Sequence, residues 1–393
     1  MYPSENRTAV SHDGPPLAGL LVLDLSQFLS GPYCSLRLAD LGARVIKVER
    51  PDGGDLTRSL YLSDTEIGGD STLFHAINRG KQSIALDLKD ADDVAVLRAL
   101  IGRADVLIQN FRPGVIERLG LGYEDVRALN PRLVYAGISG YGAQGPWVGR
   151  PGQDLLAQAR AGVMWLSGDA GQGPVPMGLA VADMLAGATA AQGILAALVR
   201  RGVTGRGGLV ETSLLEVLID LQFEVLTTHL NDGGRVPVRA AQGSAHAYLS
   251  APYGVYAASD GYLAIAMTPL GRLADLLDLP ALDRYRDDPA LWFTARDTIK
   301  AVIAERIATR NVAAWLAVLE PADIWCAKVM DWPELLASEG FAALDMVQSV
   351  RREGVALRTT RAPVRIDGMR PACADAAPQV GADSAAIRAE FGI

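Results

Sequence analysis

Between Leu20 and Ser139 the chain alternates short apolar runs with segments of helical spacing, and that alternation constrains the fold more than any other feature. Leu20 to Leu25, LLVLDL, is followed by Ser30, Gly31 and Pro32, then by helical spacing from Tyr33 to Leu41 and a second strand-like run, Arg44 to Glu49. Short apolar runs bounded by turn residues suit strands buried on both faces, and strands joined by helices run parallel. The pattern continues through Ser83 to Leu88, a helix around Asp92 to Gly102, and the strands Asp105 to Gln109 and Leu133 to Ser139. The first part of the chain therefore reads as an α/β domain with a Rossmann-like, largely parallel sheet.

Further on, Met177 to Arg201 places one carboxylate, Asp183, before a run of small residues that includes Ala186, Gly187, Ala190, Ala191 and Gly193. So little side-chain bulk lets another backbone or a large ligand approach closely, and Arg200 and Arg201 suit a helix C-terminus. Asp183 is the candidate reacting group; its bland reading is an ordinary helix N-cap. Gly205 to Glu216 reads as turn, strand and helix start, with the helix running to about His229. Tyr253 to Ala258 and Tyr262 to Met267 form a hairpin signal around Ser259, Asp260 and Gly261, and helical segments follow near Leu270 to Leu277, Trp292 to Ala308 and Val312 to Leu319.

At 393 residues the chain is too long for one ordinary core. The Gly- and Arg-rich segment 231–243 and a second linker at 325–335 divide it into a large α/β domain, 1–230 with 330–393, and a small α+β domain, 235–325. The last residues, Ser384 to Phe391, read as a short helix.

Several chemistries are disfavoured. A dinucleotide fingerprint needs three glycines where Ser30, Gly31 and Pro32 supply one, and Gly202 to Ser213 lacks the lysine of a phosphate-binding loop. His12, His75, His229 and His246 stand without the spacing of a metal pair, so no metal is expected. Ser139 in GISGYG has only one of the flanking glycines a nucleophile elbow requires. With 37 Lys and Arg against 45 Asp and Glu, a net charge of -8 argues against a nucleic-acid partner. The longest apolar runs, such as Leu17 to Leu25, stop short of a bilayer span, and the opening MYPSENRTAVSHDGPP reads as a loose lead-in and not as a signal peptide. Cys34, Cys326 and Cys373 are scattered, which points to a reducing cytoplasm.

Seven stretches, taken together, resemble the class III CoA transferases, the CaiB/BaiF family, which includes formyl-CoA transferase, carnitine CoA transferase and the 2-methylacyl-CoA racemases. They are LVLDLSQFLSGPYCSLRLADLGARVIKVERPDGGDLTR, NRGKQSIALDLKD, ADVLIQNFRPGVIERLGLGY, NPRLVYAGISGYG, PGQDLLAQARAG, MGLAVADMLAG and TGRGGLVETSLLE, all between residues 17 and 230. The resemblance implies that Asp183 is the catalytic aspartate, forming a mixed anhydride with an acyl group and then an aspartyl-CoA thioester. It implies CoA contacts at Arg50, Lys81, Asn110, Phe111 and Arg118, with Arg58 and Arg112 as weaker candidates. Asp154 and Asp169 are competing carboxylates. No cofactor is held permanently; a coenzyme A thioester and a free carboxylic acid are the substrates, and an interlocked homodimer is the implied assembly.

The chain departs from the family pattern at three places. Leu29 stands where transferases carry a glutamine, no glycine run occurs near Gln242 and Gly243, and Gln153 replaces the histidine of the racemase GHD motif. An amide cannot carry the proton that racemisation requires. The expected function is CoA transfer from an acyl-CoA to a free acid, with racemisation and passive acyl-CoA binding as the competing readings.

Overall fold

The structure, a computed structural model, describes residues 14–62 and 64–393. The lead-in with His12 lies outside the described residues. The described residues form two compact units: one comprises 14–157, 180–218 and 345–393, and the other 158–179 and 219–344. The boundaries differ from the linker-based division, because 158–179 and the flanks of the small domain group with the second unit.

The first unit is built on six parallel strands among the described residues: β1 Leu21–Asp24, β2 Arg44–Glu49, β3 Gln82–Ala85, β4 Val106–Gln109, β5 Val134–Ser139 and β6 Gly208–Ser213. Their order is β3-β2-β1-β4-β5-β6, the doubly wound arrangement in which ligands bind beyond the carboxyl ends of the strands. Leu23, Ile46, Val106, Leu107 and Val134 are fully buried, as a sheet covered on both faces demands. Lys47 and Glu49 of β2 are buried as well, inside a run whose neighbours are apolar.

Helix α1, Ser30–Asp40, follows β1; α2, Thr72–Asn78, precedes β3; and α3, Ala91–Ile101, joins β3 to β4. After β4 come α4, Val115–Arg118, and α5, Tyr123–Leu129. Helix α6, Asp154–Ala161, starts at the end of the first unit, and α7, Val181–Thr204, precedes β6. By length and composition the 24-residue α7 could cross a membrane. Here it is a core helix, with Ala182, Ala186, Gly187, Ala190, Ile194 and Ala197 buried, and it packs on α1, β5 and β6. The small residues do what their sequence implies: a methyl on Gly187 would stand 2.4 Å from the Ser30 carbonyl oxygen, and one on Gly193 2.6 Å from Val210.

The expected long helix beyond β6 breaks at Gln222 into α8, Leu214–Leu221, and α9, Phe223–Asn231. Gln222 donates a side-chain hydrogen bond to the Ala161 carbonyl at 3.0 Å, which a continuous amphipathic pattern does not announce. The second unit pairs β7, Gly254–Ala257, with β8, Tyr262–Ile265, and adds β9, Cys326–Lys328, all antiparallel. Its core gathers Leu263, Ile265, Leu273, Ile303 and Trp315 beneath α10, Leu270–Leu277, α11, Arg296–Ile307, and α12, Val312–Leu319. In the first unit, β10, Val347–Arg352, and β11, Val355–Thr360, form a hairpin around Glu353 and Gly354, and the chain closes with α13, Ser384–Phe391.

Candidate active site

The loop between β1 and α1 is held from below by a buried ion network. Asp24 accepts hydrogen bonds from the Ser26 amide at 3.0 Å, the Ser35 hydroxyl at 2.5 Å and the Lys81 ammonium at 3.0 Å, and also from the Ser26 hydroxyl. Burial pushes this carboxyl upward, but Lys81, Lys47 and the two hydroxyls outweigh it and hold it well below the usual carboxylate range. Lys47 donates to the Ser26 carbonyl at 2.8 Å and pairs with Asp55, also at 2.8 Å. Lys81 donates to the Pro32 carbonyl at 2.9 Å and to Asn78 at 2.7 Å. The two lysines thus grip both sides of the β1–α1 junction, where Ser30 opens the helix. From the end of β4, Asn110 clasps the loop from above, accepting from the Gln27 amide at 2.9 Å and donating to the Gln27 carbonyl at 2.7 Å.

Asp183 faces this loop from the first turn of α7. It is not the helix N-cap. That position is Ala180, which has no side-chain cap to offer, and Asp183 stands three residues later. The capping carboxylate comes from α6: Asp154 accepts from the amide of Ala182 at 2.7 Å and of Asp183 at 3.2 Å. Asp154 is delivered by a close backbone crossing, since a methyl on Gly152 would lie 2.5 Å from the Cα of Gly140 at the end of β5. Asp183 is half-buried. Burial first, and the negative charge of Asp154 second, raise its carboxyl to about 6 against a hydrogen bond from Ser30. A carboxylate of that basicity, partly stripped of water yet mostly ionised at neutral pH, is a competent nucleophile toward an activated carbonyl.

The other candidates separate. Arg50 is exposed just past β2, with its Nε donating to the Gly54 carbonyl at 2.8 Å, which anchors the guanidinium. Phe111 is half-buried and lies with Arg112 on a cavity of about 570 Å³ beyond the carboxyl ends of β4, β5 and β6. Arg118 is exposed at the end of α4 and is not among the residues lining that cavity. Glu117, Glu211 and Glu216 line the same cavity as Arg112.

Lys81 is a correction. It immediately precedes β3, is fully buried, and directs its ammonium at Asp24, Pro32 and Asn78, so no proton is left for a phosphate. Arg58 is also internal: its guanidinium bonds Glu49 and Asp70 and stacks 3.7 Å over the Phe74 ring. Asp169 belongs to the second unit, where its carboxylate accepts from the Ser244 amide at 2.8 Å, a structural task. Gln153 is exposed at the start of α6.

Ser30, Lys47 and the capping role of Asp154 escaped the sequence reading. Ser30 carried a usable signal, a hydroxyl beside Gly31, whose methyl would collide with Ser26 at 2.2 Å. Asp154 carried none, because its partners lie 28 and 29 residues away.

Compared with known families, residues 17–384 match CoA-transferase family III. The acetyl-CoA:oxalate CoA-transferase of Acetobacter aceti is 34% identical over 384 residues, covering 96% of this chain and 96% of that protein. The succinyl-CoA:mesaconate CoA-transferase of Haloarcula hispanica is likewise 34% identical, over 388 residues and 96% of each chain. Among solved structures, a CaiB/BaiF family protein from Brucella suis is 32% identical with a TM-score of 0.83, covering 96% of this chain and 99% of that one.

Proposed function

Because the chain belongs to CoA-transferase family III, we propose that it moves CoA from an acyl-CoA donor to a free carboxylic acid, with Asp183 as the group that is acylated. The observation that carries this reading is the setting of Asp183, a half-buried carboxylate raised to about 6 that meets Ser30 where the clasped β1–α1 loop enters the helix. A carboxylate oxygen attacks the thioester carbonyl, the carbon–sulfur bond breaks, and CoA leaves as thiolate from a mixed anhydride. The thiolate then attacks the aspartyl carbonyl, releasing the donor acid and forming an aspartyl-CoA thioester. The acceptor carboxylate displaces CoA from that thioester, and CoA attacks the acceptor carbonyl of the new anhydride, giving acceptor-CoA and free Asp183. Each step keeps the acyl group activated, so water must be excluded.

Arg50, Asn110, Phe111 and Arg118 remain our CoA-binding assignments, with Asn110 acting through the loop it clasps. Arg112, on the cavity wall, joins them. No permanently held cofactor is needed, since the carboxylate supplies the covalent chemistry. The relatives described above act on oxalate and mesaconate, so the acceptor panel begins with short dicarboxylic acids.

The homodimer belongs to this reading. Val199 and Val203 in the first unit, and Leu230, Val236 and Val238 in the second, are apolar and strongly exposed, as surfaces awaiting a partner chain are. Light scattering should give a species of twice 41.6 kDa that persists on dilution. The three free cysteines fit the reducing cytoplasm we assign to it.

The test is a matrix of acetyl-CoA and succinyl-CoA against dicarboxylic acids, with hydroxylamine added during turnover. Acyl-CoA exchange and donor-dependent modification of the Asp183 peptide are expected. Trapping at Asp154 or Asp169, or rapid exchange of the alpha proton of a branched acyl-CoA in deuterium oxide without transfer, overturns the reading.

A further inference from the structure

The first turn of α7 has a feature that the transferase reading does not use. A helix start leaves several amides without internal partners, and the usual remedy is a side chain at the N-cap itself. Here Ala180 holds the N-cap and the remedy is imported from α6, with one oxygen of Asp154 receiving the amides of Ala182 and Asp183. An imported carboxylate does two things that a serine or threonine cap would not. It ties the backbone of the reacting residue to a second helix, and it sets a negative charge beside another carboxylate. The helix dipole favours a negative charge at this point, and the same charge falls beside Asp183.

We propose that Asp154 is a positioning residue for Asp183: its carboxylate caps the first turn of α7, holds the backbone of the reacting residue to α6 and sets a second negative charge beside the reacting carboxylate. This deepens the transferase reading and rests on Asp183 being the acylated group. Among the described residues, Asp154 is the charged group whose field bears on Asp183, while α1 contributes only the neutral Ser30 hydroxyl. Arg37 and Asp40 of α1 pair with each other, and Arg201 at the far end of α7 pairs with Asp105. Removing a like charge lowers an acid, so a neutral residue at 154 should make Asp183 more acidic.

Asp154→Asn and Asp154→Ala separate the two tasks. The asparagine carbonyl oxygen still accepts both amides and lacks only the charge; alanine lacks both. The titration is read by carbon-13 NMR of labelled aspartate carboxyls, with the Asp183 signal assigned by its loss in Asp183→Asn. The Asp183 midpoint, about 6 in the native protein, should fall by roughly one pH unit in Asp154→Asn. The acidic limb of kcat/KM should move down with it. Asp154→Ala should lose at least about tenfold in kcat, and Asp154→Asn should restore most of that loss. An Asp183 midpoint unmoved in Asp154→Asn, or full activity in Asp154→Ala, overturns the proposal. If Asp154→Ala does not fold, the asparagine titration decides alone. Absence of transfer by the native protein with every donor and acceptor sinks the transferase reading instead, and the titration still reports on Asp154.

Discussion

Gly187 passes directly beneath the carbonyl of Ser30: a methyl on that glycine would stand 2.4 Å from the oxygen and 3.1 Å from the amide nitrogen of Cys34. This contact is where α7 sets the distance between Asp183 and the loop that meets it. Backbone cannot retreat as a flexible side chain can, so Gly187→Ala must push α1 and α7 apart. We expect a loss of about 1–3 kcal/mol of stability and a fall of more than about tenfold in kcat, because misplacement by a fraction of an ångström is felt in covalent catalysis. Thermal melts and transfer assays check this. Unchanged activity would mean that the α1–α7 spacing does not govern the site.

Asp183 weakens the fold it serves. Its carboxyl is raised from 3.8 to about 6, so between those values the folded protein binds more protons than the unfolded chain. Stability contributed by this group is therefore lost as pH rises through that window, and the penalty is complete above about 6. At about 1.4 kcal/mol per tenfold change in acidity, the penalty reaches about 3 kcal/mol at neutral pH. Asp183→Asn should melt higher than the native protein at pH 7, lose that advantage near pH 4, and have no transferase activity. A lower melting temperature at pH 7 would contradict the burial argument.

The fold was legible where local periodicity decides it. The run Arg44–Glu49 and the helices Val312–Leu319 and Ser384–Phe391 have the bounds their spacing predicts, because each carries its own alternation or helical stripe. The hairpin from Val347 to Thr360 carries a local signal of the same kind, an alternating run around Glu353-Gly354, both at positive φ. The site was legible only in part. Asp183 stands in a recognisable motif, whereas the burial of Lys81 against Asp24 has no local signal. Whether a lysine faces solvent or a carboxylate 57 residues away is a tertiary fact. The same holds for Asp154, whose partners belong to another helix.

Lys81 provides a test that separates its two readings. Burial lowers its ammonium to about 8 even though Asp24 opposes that shift, and the ion pair has no access to water. Lys81→Met fills similar volume and leaves Asp24 with a buried charge that Lys47 only partly balances. The expected result is a stability loss of about 3–5 kcal/mol, the usual consequence of orphaning a buried ion. Chemical denaturation checks it. Native stability together with a raised KM for acyl-CoA would restore Lys81 to the ligand site.

Arg50 presents the opposite geometry, and so the opposite outcome is expected. Its Nε is anchored to the Gly54 carbonyl at 2.8 Å just past the carboxyl end of β2, and the side chain is exposed. It bears on no core contact, so Arg50→Ala should leave the melting temperature within about 1 °C, as surface changes do. If its outer nitrogens meet the nucleotide half of CoA, the KM for acyl-CoA should rise by an amount corresponding to about 1.5–3 kcal/mol, that of a lost charged hydrogen bond. The KM for the free acid should stay the same. An acyl-pantetheine thioester, which lacks the nucleotide, makes the assignment specific: the native protein and Arg50→Ala should use it equally well. Arg50→Lys should recover little, because an ammonium cannot reproduce a planar guanidinium anchored at one edge. Equal losses on acyl-CoA and acyl-pantetheine would place Arg50 outside the CoA site and leave Arg112, on the cavity wall, as the next cation to test.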